Sequence, residues 1–203
     1  MTPGVPGVEP FVAPPRRPPF PWGWILNRVE KHLGRRLEAN RILAWSPRLL
    51  AGTGLMEALV VHDDPEVPRR LLKLLRLAVS YGVSCPFCID LNAHGHAGDG
   101  VTDDEVRALA LPGAFETCPS LSDTEKAVLR FAACLTATPV RFPHAVVADL
   151  KSRLSDRGFT VVAATAAQVN LWARLIQGLG VQEAGFSSDL NLLDLDRFRT
   201  RVP

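Results

Sequence analysis

Helix-start punctuation recurs along this chain and constrains its fold more than any other feature. Thr102-Asp-Asp-Glu105 and Ser122-Asp-Thr-Glu125 are both capping boxes. In each, a hydroxyl and a glutamate three residues on satisfy one another's orphan backbone N–H groups ahead of an apolar run. Ser46-Pro47 places an N-cap and a first-turn proline before LLAGTGLMEALVV. Asp64-Pro65 repeats the signature before LLKLLRLAVSYG, with Pro68 tolerated in the first turn. Phe142-Pro143 opens another helix. Trp24 to Leu33 is periodic and stops at Gly34, and Thr160 to Leu179 stops at Gly180.

No Asn-Gly or Asp-Gly hairpin joins alternating runs; Asp99-Gly100 lies between two helical stretches. The β-branched cluster Phe159 to Val162 runs straight into AATAAQVNLWARLIQ, which reads as helix. The expectation is an all-α domain of about eight helices spanning residues 22–187. A C-terminal tail follows over 188–203, and a proline-rich arm precedes it over 1–21. Pro3, Pro6, Pro10, Pro14, Pro15, Pro18, Pro19 and Pro21 make that arm extended rather than helical. It either wraps a neighbouring subunit or hangs loose.

Charge and hydropathy exclude several function classes. Lys+Arg number 23 against 21 Asp+Glu, a net charge of +2. Counterion displacement on nucleic acid needs a basic excess, so no nucleic-acid partner is expected. No apolar run reaches the roughly 18 residues of a membrane span, and no membrane partner is expected. MTPGVPGVEPFVAPP has neither the basic nor the apolar region of an export signal, which leads to an expectation of cytoplasm.

Four cysteines, Cys85, Cys88, Cys118 and Cys134, then fall in a reducing compartment. Cys118 stands in a loop beside Pro119 and Cys134 in an apolar helix, both positions for inert thiols. Cys85-Pro86-Phe87-Cys88 admits three readings: a redox dithiol, half of a metal site, or two buried small residues. Its position at a helix start, with Ser84 as a candidate N-cap, favours the first. Free backbone N–H groups and the helix dipole there stabilise a thiolate, and a second thiol one turn on can resolve an oxidised first. Which thiol attacks depends on exposure. The N-terminal sulfur of a helix-start dithiol, here Cys85, is expected to be the more exposed and so to exchange with a partner disulfide, whereas Cys88, if held against a proton relay, would attack peroxide. A zinc site with His94 and His96 is disfavoured by helix geometry. His94 falls about 180° from Cys85, and His96 roughly 16 Å along the axis. No metal and no cofactor is expected.

Three blocks of sequence resemble the carboxymuconolactone decarboxylase and alkylhydroperoxidase D-like superfamily. They are LLKLLRLAVSYGVSCPFCIDLN, LSDTEKAVLRFAACLTATPVRFPHAVVADL and AATAAQVNLWARLIQGLGVQEAGF, the last similar to the closing helix of the peroxidase-related branch. The resemblance covers roughly residues 40–187 and implies a helical domain that forms homo-oligomers: dimer, trimer or hexamer. It also implies a CxxC thiol–disulfide oxidoreductase that reduces hydroperoxides or another small-molecule substrate. Electrons would come from a dithiol donor protein or a small thiol.

The family's peroxidatic pattern is Glu, eleven residues, Cys-x-x-Cys, three residues, His. The cysteines match as Cys85 and Cys88, but Lys73 stands at the glutamate position and Asn92 at the histidine position. An amide is no base near neutral pH. Lys73 could instead lower a thiol pKa as a cation. Tyr81, Asn170 and Arg174 are further pocket or relay-replacement candidates; Glu57 and the histidines, His62 and His144 included, are weaker ones. Asp90, about 200° round the helix from Cys88, is expected to face solvent or a subunit contact. The competing reading is a non-redox family member. It would be a decarboxylase or lactone-handling enzyme with Lys73 or Arg76 for an anionic ligand, or an oligomeric scaffold with a relic site.

Overall fold

A computed structural model describes residues 9–58 and 63–187, together with Leu193 and Leu195. Within those residues it contains nine α-helices, two 3₁₀ turns and no strand. The helices are α1 (Trp22–Leu33), α2 (Glu38–Leu43), α3 (Pro47–Ala58), α4 (Arg69–Gly82), α5 (Pro86–Ala93), α6 (Asp103–Ala110), α7 (Asp123–Thr136), α8 (His144–Arg153) and α9 (Asp156–Gly178). The all-α expectation holds, with α2 as the element beyond it. Nothing in Leu37-Glu38 announces that helix, because its N-cap side chain cannot hydrogen-bond.

Both capping boxes form as the sequence requires, with Thr102 accepting from Glu105 N–H and Ser122 from Glu125 N–H. Two starts move. The helix expected after Asp64-Pro65 begins only at Arg69, because Asp64 makes a local turn of its own. Its Oδ1 accepts Glu66 N–H at 2.9 Å, and its Oδ2 pairs with Arg157 of α9 at 2.8 Å. Conversely α9 starts earlier than Thr160, at Asp156, because Ser155 caps it by accepting Gly158 N–H.

Helix α4 is the axis of the molecule. Six apolar side chains, Leu71, Leu72, Leu74, Leu75, Leu77 and Val79, are buried along it. Leu74 and Leu77 pack with Ile89, Val106 and Leu129 on one side; Leu72, Leu75 and Val79 pack with Val128, Phe131, Leu150 and Val162 on the other. Each fully buried leucine contributes about 2 kcal/mol, which holds this helix firmly in the core. Helix α9 is long and apolar enough to cross a membrane by length and composition, but it packs against α4, α5, α7 and α8.

The arm is tied to its own chain: Phe11 N–H donates to Leu179 O at 3.0 Å and Trp45 Nε1 to Ala13 O at 2.9 Å. The beginning of the arm (1–8), His62 and most of the expected tail lie outside the described residues. Leu193 and Leu195, within that tail, are buried in the cluster of Leu74 and Ile89. On α1–α3 and the segments flanking them, Phe20, Trp24, Trp45, Leu49 and Leu55 are exposed.

Candidate functional site: a capped dithiol at the start of α5

The chain leaves α4 through Val83 and Ser84 and turns sharply into α5. Ser84 has φ 54, a left-handed conformation that an L-residue adopts at a cost of roughly 1 kcal/mol or more. That turn lets Ser84 N–H donate to Tyr81 O and Cys85 N–H to Ser80 O. Ser84 is therefore not the cap. Cys85 is: its Sγ accepts Cys88 N–H at 3.3 Å, and Pro86 occupies the first helical position, where no N–H is needed. A thiol in place of the usual hydroxyl puts the sulfur on the helix's own free donors, where negative charge is favoured.

The two sulfurs lie 2.8 Å apart. The Cys85 thiol is pulled below its ordinary value, first by the hydrogen bond from Cys88, then against burial by backbone N–H groups of Cys88 and Phe87 and by the Gln177 side chain. The Cys88 thiol is pushed up by its hydrogen bond with Cys85, by burial and by the charge that would develop on Cys85. The pair is polarised: Cys85 is the thiol that ionises more readily, and Cys88 holds its proton more tightly. Contrary to the sequence expectation, Cys85 is not the more exposed sulfur; it is 0% exposed and Cys88 3%.

Their surroundings are apolar. Ala39 and Ile42 of α2, Phe87 of α5, Ala173 and Ile176 of α9, and Val181 share one cluster with both cysteines. Trp172 packs against that cluster, and its indole N–H is buried without a hydrogen-bond partner.

Lys73 is not beside the thiols. Its Nζ donates to His94 O at 2.8 Å and pairs with Asp99 at 3.1 Å, clipping the end of α5 to α4. The cation-activated thiol is replaced by activation from helix N–H groups and Gln177. Asn92 donates to Ser80 Oγ at 3.0 Å, and Ser80 donates to Arg76 O at 2.7 Å, so a neutral hydroxyl–amide pair joins α5 to α4. Burial holds the Arg76 guanidinium below its ordinary value, against the charges of Glu57 and Asp99. Tyr81 is buried among Leu74, Leu77 and Ile89. Asn170 donates to Thr136 Oγ1 and Ala166 O, and Arg174 to Thr138 Oγ1, where α9 meets the end of α7.

Glu57 is exposed and accepts from Gln168, His94 and His144 are exposed, and His96 is held by Ala93 O and Asp103. Cys118 is buried beside Ser120 Oγ, and Cys134 is half-buried. Among the described residues no three His, Cys, Asp or Glu side chains converge as a metal site would need.

Asp90 overturns its expectation outright. It is 0% exposed, and its carboxylate accepts three backbone N–H groups, from Ala184, Phe186 and Ser187. Asp90, which the sequence placed away from the site, and Gln177, which it did not mark, both belong to it. Gln177 sits at the end of α9 and donates to Val83 O at 2.7 Å in the turn before Cys85.

No family model and no curated protein matches the chain. Solved structures do. The debrominase Bmp8 in complex with 2,3,4-tribromopyrrole is 18% identical, covers 93% of this chain and 97% of its own, and has a TM-score of 0.72. An uncharacterized peroxidase-related protein from Silicibacter sp. TM1040 is 15% identical over 96% and 98%, also at 0.72. A putative antioxidant defence protein AhpD from Agrobacterium tumefaciens is 20% identical over 70% and 94%, at 0.62. With nine helices among its described residues and its dithiol at the start of α5, the chain therefore has the AhpD-like fold.

Proposed function

We propose that this protein is a CxxC-dependent thiol oxidoreductase that reduces a small oxidant, a hydroperoxide in the first instance, at Cys85. The observation that carries the reading is the polarised pair: Cys85 Sγ capping α5 with Cys88 Sγ at 2.8 Å. The Cys85 thiolate attacks the terminal oxygen of ROOH, the O–O bond breaks, and ROH leaves with a proton. The Cys85 sulfenic acid is then attacked by Cys88, which forms the Cys85–Cys88 disulfide and releases water. A dithiol donor returns two electrons and two protons. With no Glu–His relay, the proton for the leaving alkoxide comes from Cys88 or solvent, and turnover is slow. A missing acid–base group costs about 10²–10⁴-fold. The buried indole N–H of Trp172 supports a substrate with one acceptor atom in an otherwise apolar setting.

A second reading follows from the likeness to a debrominase structure. The same dithiol could reduce a carbon–bromine bond, giving R–H, bromide, a proton and the disulfide from R–Br and two thiols. It needs no peroxide relay. In either chemistry the protein works in a reducing cytoplasm and as a homo-oligomer; the exposed Phe20, Trp24, Trp45, Leu49 and Leu55 support the latter.

The test is peroxide consumption with a dithiol donor, by wild type, Cys85→Ser and Cys88→Ser, beside mass mapping of the oxidised chain. Cys85→Ser should be inactive, and Cys88→Ser should stop after one turnover as a sulfenic acid. A bromopyrrole in place of peroxide separates the two chemistries. Failure to form a reversible 85–88 disulfide with any oxidant would leave the relic scaffold.

A further inference from the structure

After α9 the chain passes over the dithiol as a strap, residues 180–187. Val181 is buried in the cysteine cluster, and Ala184 and Phe186 pack against it. Phe186 meets Phe87 edge-on, centroids 5.9 Å apart. Phe87 lies between the two cysteines in sequence, so the strap rests on the helix turn that carries the sulfurs.

Besides these apolar contacts, two polar anchors hold the strap. Asp90 Oδ2 accepts Ala184 N–H and Phe186 N–H, each at 3.0 Å, and Oδ1 accepts Ser187 N–H at 2.7 Å. Gly185, at φ 71, supplies the left-handed turn that brings these amides round one carboxylate. On the other edge Arg35 Nε donates to Gly185 O at 3.0 Å. Asp90 is two residues past Cys88, so latch and resolving thiol share one turn of helix.

A carboxylate with three backbone donors is a cooperative fastening: losing the carboxylate strands all three N–H groups at once. The strap itself has no helix or strand ladder, so it opens at far lower cost than the core beneath it.

We propose that the strap is the specificity element of the dithiol, with Asp90 the positioning residue that latches it. Latched, it admits small, largely uncharged molecules to Cys85 and excludes the disulfide of a folded protein. This rests on the redox reading above and narrows it to small substrates.

The experiment compares two reagents of identical chemistry and different size, N-ethylmaleimide and a polymer-linked maleimide. Rates are read at Cys85 and Cys88 by peptide mapping on the full chain, with Cys118 and Cys134 counted separately. Each rate is divided by that of the urea-unfolded protein. Wild type should react with the small reagent and be strongly protected from the large one. In Asp90→Ala the large reagent should gain roughly tenfold or more, and the small one much less. Equal protection from both reagents in wild type, or an unchanged size ratio in Asp90→Ala, would overturn the proposal. Phe186→Ala removes a strap contact without emptying a buried charge, and it should shift the ratio the same way. It decides the matter if Asp90→Ala does not fold. Reversible 85–88 oxidation is mapped on the same samples. Its absence ends the redox reading, while the size ratio still tests the strap independently.

Discussion

The two ends of α4 are built on opposite principles. At its N-terminus Arg70 reaches Glu105 at 2.6 Å and Glu125 at 2.7 Å and also donates to Gly100 O. Those two glutamates are the N3 residues of the capping boxes on α6 and α7, so one guanidinium joins three helix starts. Ser120 Oγ donates to Glu105 at 2.6 Å as well. At the other end, around Cys85, the fixings are backbone hydrogen bonds, one glutamine and an apolar cluster under a latched strap. The base is a closed polar network, in which every member is dear to remove. The top is held so that one segment can part from it. The Arg70 network fixes the starts of α4, α6 and α7 to one another, at the opposite end of α4 from the thiols.

Arg70 is where the contrast between the two ends breaks most visibly. Arg70→Met leaves Glu105 and Glu125 buried without their cation and should cost about 3 kcal/mol or more, read as a lowered urea midpoint. The Cys85 alkylation profile of the molecules that remain folded should not move.

Acid should loosen the same end first. Burial alone would raise Glu105, but hydrogen bonds from Arg70, Ser120 and Thr102 N–H overcome it and hold the carboxyl at about 2, from an ordinary 4.5. A depressed folded-state pKa means the stabilisation is complete above 4.5 and is lost as pH falls towards 2. Stability against pH over that window should therefore slope upward in wild type and less steeply in Glu105→Gln.

At the top the effects are smaller and kinetic. Gln177→Leu removes a donor to the Cys85 thiolate, so the thiol pKa should rise and neutral-pH alkylation by iodoacetamide should slow by roughly fivefold. On the proposed reading, in which its indole N–H meets the substrate oxygen, Trp172→Phe should raise KM for hydroperoxide about threefold with kcat little changed. Smallest of all is Lys73→Met. It breaks a pair with Asp99 and costs about 1 kcal/mol or less, with no shift in the Cys85 pH profile. A shift there would restore the cation-activated thiol.

What can be read from sequence divides along a similar line. Thr102, Ser122 and Pro143 act on residues within one turn, so their helix starts are legible from spacing alone. The dithiol's place at a helix start is legible too, but not which residue caps it. Serine is the better cap by preference, and only the left-handed Ser84 turn hands that role to the Cys85 sulfur. Asp90 and Gln177 are illegible for a different reason. Their partners lie 94 or more residues away, and no local pattern distinguishes a carboxylate facing solvent from one facing a returning strap. Asp64 misleads in the reverse direction, offering a cap signature that it spends on its own turn and on Arg157.

Gly180 roots the strap. It stands at φ 69, and a methyl group built on it would sit 2.8 Å from the Phe11 ring of the arm. Phe11 in turn donates its N–H to Leu179 O. Any side chain at 180 would have to accept a strained backbone and displace that ring, unseating arm and strap together. In a saturation mutagenesis map scored for thiol protection, position 180 should therefore stand out as an intolerant column, although it touches neither sulfur. A screen for variants that accept bulkier substrates would do well to begin there.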